Sequence, residues 1–294
     1  MSNLNNIIFK NRRDENKNVN NKHYKFYVII ISTTFIIIPF IIGFYFGKKN
    51  RIKIETNEEK NLSKKLSNFT SYSQCLEDLI LFSVFYDIEN GFYIDIGAYD
   101  PNYISITKNF YIRGWYGINI EPLPDKYKAL TKFRKRDINL QIGVGKMKKN
   151  NTLYMLGYMS NIQKKNEKKK NIKSIEINVD TMSSICRKYV PKNEIIQFCK
   201  IDIEGGEKDA LLGYDFENYR PKVFCIESTY PGTSIPCHHL WEDILLKNDY
   251  SFAYQFGINR YYIDNRVKGL REKFFEAEKL VKTYNKLRKH KKNI

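Results

Sequence analysis

The feature that most constrains this chain is the stretch at residues 91–100, GFYIDIGAYD. Phe92, Tyr93, Ile94 and Ile96 form a short apolar run typical of a buried strand, Asp95 sets a carboxylate near its C-terminal end, and Gly97 opens a polar turn. An open parallel α/β sheet binds ligands in the crevice outside the carboxyl ends of its strands. Gly97 lets the backbone come close to a ligand there, and Ala98 keeps the neighbourhood small. Since D-x-G after a strand is also an ordinary tight turn, its meaning depends on what the rest of the chain places beside it.

Apolar runs and amphipathic segments alternate from residue 72 onward. Strands are expected at 91–97, 116–120, 138–144, 175–179, 194–203 and 222–227, with a terminal antiparallel pair at 250–256 and 260–264. Helices are expected to start near Ser73, with Glu77 and Asp78 in the first turns, and at 125–136, 180–189, 207–212 and 240–246. This order predicts a doubly wound α/β sheet, mostly parallel, with the antiparallel pair at its end. Residues 145–175 interrupt the alternation with nine lysines against Glu167 alone, and read as a basic insertion forming a loop or short hairpin. Residues 266–294 form a basic helix whose stripe Leu270, Phe274, Ala277, Leu280, Val281, Tyr284 and Leu287 is expected to dock on its own domain rather than on a membrane face.

The N-terminal part reads differently. Residues 1–25 are a polar, Asn-rich tail, and residues 26–46, FYVIIISTTFIIIPFIIGFYF, are uncharged and long enough for one transmembrane helix. A linker at 47–70 follows. The expectation is a single-pass membrane protein, with the membrane as partner through 26–46. Basic residues flank that segment on both sides, so charge does not orient it. Five dispersed cysteines without a C-x-x-C pair are expected to be free, mostly buried thiols, which favours a cytosolic domain. The formal charge of +18 accompanies no zinc finger, Arg-rich arm or basic and aromatic interleaving, which argues against nucleic acid as partner.

Chemistry is read from the carboxylates. Asp95, Glu121, Asp202, Glu204 and Glu227 all fall at or near the C-terminal ends of expected strands. Glu121, at the end of the strand after the Gly97 turn, stands where a carboxylate accepts hydrogen bonds from both hydroxyls of an adenosine ribose. A dinucleotide would require G-x-G-x-x-G, but the turn reads G-A-Y-D-P, and Asp100 would repel a phosphate. A cofactor with adenosine, no phosphate and a cationic centre fits instead: S-adenosylmethionine. Asp202 and Glu204 are candidates to orient or deprotonate an acceptor hydroxyl, and His238 and His239 are candidate bases. Glu204 and Glu207 read alternatively as acids complementing a helix N-terminus, the histidines as capping or packing groups, and Asp202, Glu204 and Glu227 as magnesium ligands.

Several segments in order carry a resemblance to a known family: Ser73-Gln74 with Glu77-Asp78, the run 92–98, Gly114-Trp115-Tyr116-Gly117, Glu121-Pro122, the run 200–205 with Glu207, and Arg220-Pro221. Over residues 72–263 the chain resembles the FkbM family of S-adenosylmethionine-dependent methyltransferases. The resemblance implies a class I methyltransferase fold over 71–265 and methyl transfer to a hydroxyl of a sugar, glycan or small molecule. It implies that Asp95 and Gly97 belong to the cofactor turn, beside the candidate cofactor contacts Ala98 and Tyr99, that Glu121 contacts the ribose and that Asp137 or its neighbours lie near the adenine. The alternative is a catalytically inactive, membrane-tethered domain of the same fold that binds a protein or glycan partner.

Overall fold

The computed structural model describes Lys64, Leu66 and residues 69–156, 159–161 and 173–292. The chain divides into two units, Met1–Glu59 and Lys60–Ile294, and every described residue belongs to the second.

Strand β1 (Phe92–Ile96) is buried along its whole length, as a strand with parallel neighbours on both sides and helices on both faces must be. Phe92, Ile94 and Ile96 enter one core, and Tyr93 enters the other. The two-residue period of a strand divides them in this way. Around β1 stand β2 (Tyr116–Ile120), β3 (Ile138–Leu140), β8 (Ile196–Ile201), β9 (Val223–Glu227), β10 (Tyr250–Phe256) and β11 (Asn259–Asp264), in the spatial order β10-β11-β9-β8-β1-β2-β3. The pairs from β3 to β9 are parallel. Strand β11 enters antiparallel between β9 and β10, giving the expected mostly parallel sheet with a C-terminal antiparallel pair.

Helices cover both faces. On one side lie α4 (Met182–Tyr189), α5 (Glu207–Leu212) and α6 (Glu242–Lys247), which contribute Met182, Ile185, Leu211 and Leu245 to the first core. On the other lie α1 (Glu77–Val84), α2 (Lys108–Ile112) and α7 (Leu270–Lys292). Helix α3 (Pro124–Phe133) follows β2 and starts with proline in its first turn, where the missing N–H costs nothing. Thr181 caps α4, its hydroxyl accepting from the Ser184 amide at 3.2 Å. The apolar stripe of α7 packs with α1 in the second core: Leu270, Phe274, Ala277, Val281 and Tyr284 are buried beside Leu79 and Ile80. All five cysteines are free, and all but Cys75 are buried.

The expected strand at 138–144 is split. After β3 the chain leaves the main sheet, and β4 (Gly143–Val144) joins a second sheet with β5 (Lys149–Leu156), β6 (Met159–Asn161) and β7 (Lys173–Asp180). The basic insertion is thus a hairpin arm. Lys149 on β5 pairs antiparallel with Val179 on β7, and the register continues to Met155 and Lys173.

The expectation of a membrane span is corrected. Among the described residues no helix is long and apolar enough to cross a membrane. The longest, α7, is amphipathic, with Arg271, Lys273, Lys279 and Lys282 outside its buried stripe. Residues 26–46, on which the single-pass assignment rested, lie outside the described residues, as do the tail at 1–25 and most of the linker at 47–70. An uncharged run is a statement of composition and length alone. The transmembrane helix, the membrane as partner and the single-pass localisation are therefore dropped.

Ahead of α1, residues 71–73 are held against the domain by Asp78. Its carboxylate accepts from the Ser71 hydroxyl (2.7 Å), the Tyr72 amide (2.8 Å), the Ser73 hydroxyl (2.7 Å) and the Asn109 side-chain amide (2.7 Å). Removing that acceptor strands several donors at once. Asp78→Ala is expected to lower the unfolding free energy by about 2–3 kcal/mol, and Asp78→Asn, which keeps one acceptor oxygen, by less. Urea unfolding of both variants checks this.

Candidate functional site

The carboxyl ends of β1, β2, β8 and β9 open into a cavity of about 810 Å³, within the range of small-molecule and cofactor sites. Gly97, Tyr99, Glu121, Asp202, Glu204 and Glu227 all line it. The insertion builds one wall: Lys149, Asn151 and Leu153, alternate residues on one face of β5, reach the cavity together with Val179 of β7.

Gly97 has φ +77°, and a Cβ there would stand 1.9 Å from the carbonyl oxygen of Asp202. Only glycine fits both the left-handed backbone and the close approach of the neighbouring strand end. The amides of Gly97 and Ala98 both donate to the Ile120 carbonyl, at 2.9 and 3.1 Å. Neither is left to cradle a phosphate, the role such turn amides serve in dinucleotide sites. Glu121 accepts from the amides of Tyr99 (2.8 Å) and Leu123 (2.9 Å), one on each oxygen. These bonds fix its carboxylate at the cavity edge and leave a further lone pair on each oxygen. Burial raises the Glu121 pKa, against the pull of those two amides.

Beneath the turn lies a buried ion pair. Lys200 stands opposite Asp95 in the parallel register of β8 and β1. Its Nζ is 3.4 Å from Asp95 Oδ1 and 3.6 Å from Asp202 Oδ2, and it donates to the Gly97 carbonyl at 2.6 Å. Burial works against the ammonium charge, but Asp95 and Asp202 outweigh it and hold the Lys200 pKa above its ordinary value. Asp95 also accepts from the Thr107 hydroxyl at 3.2 Å. Asp95 therefore braces the turn from below and does not line the cavity.

Asp202, Glu204 and Glu227 converge, each offering a carboxylate oxygen within 4.8 Å of the others. Glu204 sits at φ +55°, in a turn where Glu207 accepts from the amides of Ile203 and Gly205, both at 3.1 Å. Burial, reinforced by Asp202 and Glu207, pushes the Glu204 carboxyl up to about 7. Burial and the carboxylates of Asp202 and Glu204 raise Glu227 further.

Of the residues singled out by sequence, the structure brings Gly97, Tyr99, Glu121, Asp202 and Glu204 to the cavity. Asp95 and Ala98 are buried behind it. Asp137 is elsewhere: it precedes β3 and so lies at the amino end of that strand, bonded to the Tyr93 hydroxyl (2.7 Å), the Gly117 amide (3.0 Å) and the Asn119 side chain (2.9 Å). His238 and His239 lie in a 3-10 turn at His238–Leu240, and it is Cys237, Leu240 and Trp241 around them that face the cavity. Burial and then Arg260 lower the His238 pKa.

Two contributors were missed. Lys200, a lone lysine inside an apolar strand, was legible as a residue in need of a buried partner. Gln74 lines the cavity because Leu76 takes a left-handed conformation (φ +60°) and Asp78 gathers residues 71–73, which no local pattern announces.

A family model described as "Methyltransferase FkbM domain" matches residues 95–252, more than half of the chain. No curated protein matches. Among solved structures, a presumed RNA methyltransferase from Pyrococcus horikoshii is similar at 11% identity and a TM-score of 0.35, over 71% of this chain and 97% of that one. So loose an overlap carries no argument about fold or substrate. The family match takes in the last two residues of β1, all of β2, β8 and β9 and every strand end that forms the cavity, and it begins at the aspartate that braces the turn. On these grounds the chain belongs to the FkbM family of S-adenosylmethionine-dependent methyltransferases.

Proposed function

We propose that the protein is an active S-adenosylmethionine-dependent O-methyltransferase whose acceptor is a hydroxyl of a sugar, glycan or small molecule. The observation that carries this reading is the composition of the cavity: carboxylates line it, and the turn amides that would attract a phosphate are already bonded to Ile120. Such a site suits a cofactor that is cationic at its reacting end and has no phosphate. The bound cofactor supplies a methyl group on a positively charged sulfur.

The chain's own residues do the rest. Glu121, held by two amides, accepts hydrogen bonds from the ribose hydroxyls. Gly97 and Tyr99 form the floor under the cofactor. Asp202 and Glu204 hold the acceptor hydroxyl and take its proton as the oxygen is methylated. The hairpin wall at Lys149, Asn151 and Leu153 lines the same cavity and would border the acceptor.

Calorimetric titration of S-adenosylmethionine into the full chain, with Glu121→Gln alongside, tests the cofactor site. Wild type is expected to bind at micromolar concentration. The variant is expected to bind at least about tenfold more weakly, since an amide has one carbonyl oxygen for two backbone donors and the ribose. A folded wild type that gives no heat and no thermal stabilisation at millimolar cofactor sinks the proposal. Transfer of labelled methyl to a panel of hydroxyl acceptors then tests the reaction.

A further inference from the structure

We infer that Asp202, Glu204 and Glu227 bind one divalent cation, Mg²⁺ or Mn²⁺, whose open coordination positions hold the acceptor hydroxyl. The inference deepens the proposed methyl transfer and rests on it for the identity of the acceptor, but cation binding stands on geometry alone.

The three carboxylates come from two adjacent strand ends, after β8 and at the end of β9, and each has an oxygen within 4.8 Å of the others. Oxygens so placed need either a cation or shared protons between them. Glu227 is 6% exposed and lines the cavity, yet its Oε2 is buried without a hydrogen-bond partner among the described residues. Glu204 Oε2 is buried and unpartnered in the same way. Two orphaned acceptors at one cavity edge are more than a surface cluster of acids presents, because a buried acceptor without a donor is costly.

No side chain fills the role of counter-charge. Among the described residues the one ion pair made by the three acids is Lys200 with Asp202 at 3.6 Å. Lys200 is already committed to Asp95 and the Gly97 carbonyl. Hard carboxylate oxygens with room for further oxygen ligands suit Mg²⁺ or Mn²⁺, and the cavity supplies that room. A cation there would polarise an acceptor hydroxyl and favour loss of its proton to the oxygen of Asp202 or Glu204 that does not hold the cation.

The test uses the full chain without cofactor. Mn²⁺ is titrated in, and the free ion is followed by electron paramagnetic resonance. One Mn²⁺ per chain is expected, at a Kd roughly between 10⁻⁵ and 10⁻⁴ M and displaced by excess Mg²⁺. Glu227→Gln and, separately, Glu204→Gln are expected to weaken binding at least about tenfold, since each removes a charged ligand. The second variant changes a half-buried side chain and guards against a folding defect in the first. A free-ion signal unchanged by millimolar wild-type protein, or equal binding by wild type and both variants, overturns the inference. Titration of S-adenosylmethionine in the presence of a chelator separates the two proposals: cofactor binding without Mn²⁺ binding removes the cation alone, and Mn²⁺ binding without cofactor binding leaves the cation site standing while the methyltransferase reading falls.

Discussion

Lys200→Met is expected to destabilise the folded domain by about 3–5 kcal/mol, as measured by urea unfolding, because it leaves the Asp95 carboxylate buried beside an apolar side chain. Asp95 is 1% exposed, and its ion pair with Lys200 spans the centre of the sheet. Methionine follows the lysine stem to Cε and lacks only the charged Nζ, so packing changes little and the loss reports mainly electrostatics. The lysine also donates to the Gly97 carbonyl, and cofactor affinity is expected to fall with stability. Adding Asp95→Asn to the same chain removes the stranded charge and is expected to return at least about 1 kcal/mol, a coupling typical of residues in contact. If Lys200→Met unfolds within 1 kcal/mol of wild type, the two groups do not face each other as a charged pair.

Gly97→Ala is expected to weaken S-adenosylmethionine binding at least about a hundredfold, close to 3 kcal/mol. The left-handed φ alone costs an alanine roughly 1–3 kcal/mol. The added Cβ would also overlap the Asp202 carbonyl at 1.9 Å, and that carbonyl is backbone, so no rotamer relieves the clash. Either the turn leaves the cavity floor or the β8 end moves back, and both displace groups that form the site. Calorimetry on the variant, with circular dichroism to confirm folding, checks the outcome. Cofactor affinity within threefold of wild type would mean that the turn is not the cofactor floor.

The alternation of elements was legible because strand and helix periods are local properties of the chain. The run at β1 and the stripe of α7 were read correctly from spacing alone, while the pattern of that stripe suited either its own domain or a membrane face and the packing of the second core decided for its own domain. The split at 138–144 was not legible, since both halves are apolar and only the second sheet draws β4 away. The basic insertion showed itself by composition, but its service as a cavity wall depends on where a hairpin folds back. The expected membrane span illustrates the opposite failure. It relied on an uncharged run with aromatic and basic flanks, residues that lie outside the described ones, and no helix among the described residues is long and apolar enough to cross a membrane.

At the site, sequence by itself determined that carboxylates end several strands and that the turn between them is not a phosphate loop. Both conclusions need only residue types and their positions within elements. Tertiary structure alone decided which of those groups meet. Cross-strand register set Lys200 opposite Asp95 and turned that aspartate from a presumed ligand contact into a brace. The direction of β3 put Asp137 at the far end of the sheet, and the turn at His238–Leu240 presented its neighbours, not its histidines, to the cavity. The convergence of Asp202, Glu204 and Glu227 within 4.8 Å depends on two strands becoming adjacent. Spacing along a chain carries no information about that distance, because the residues are brought together by the burial of both faces of the sheet.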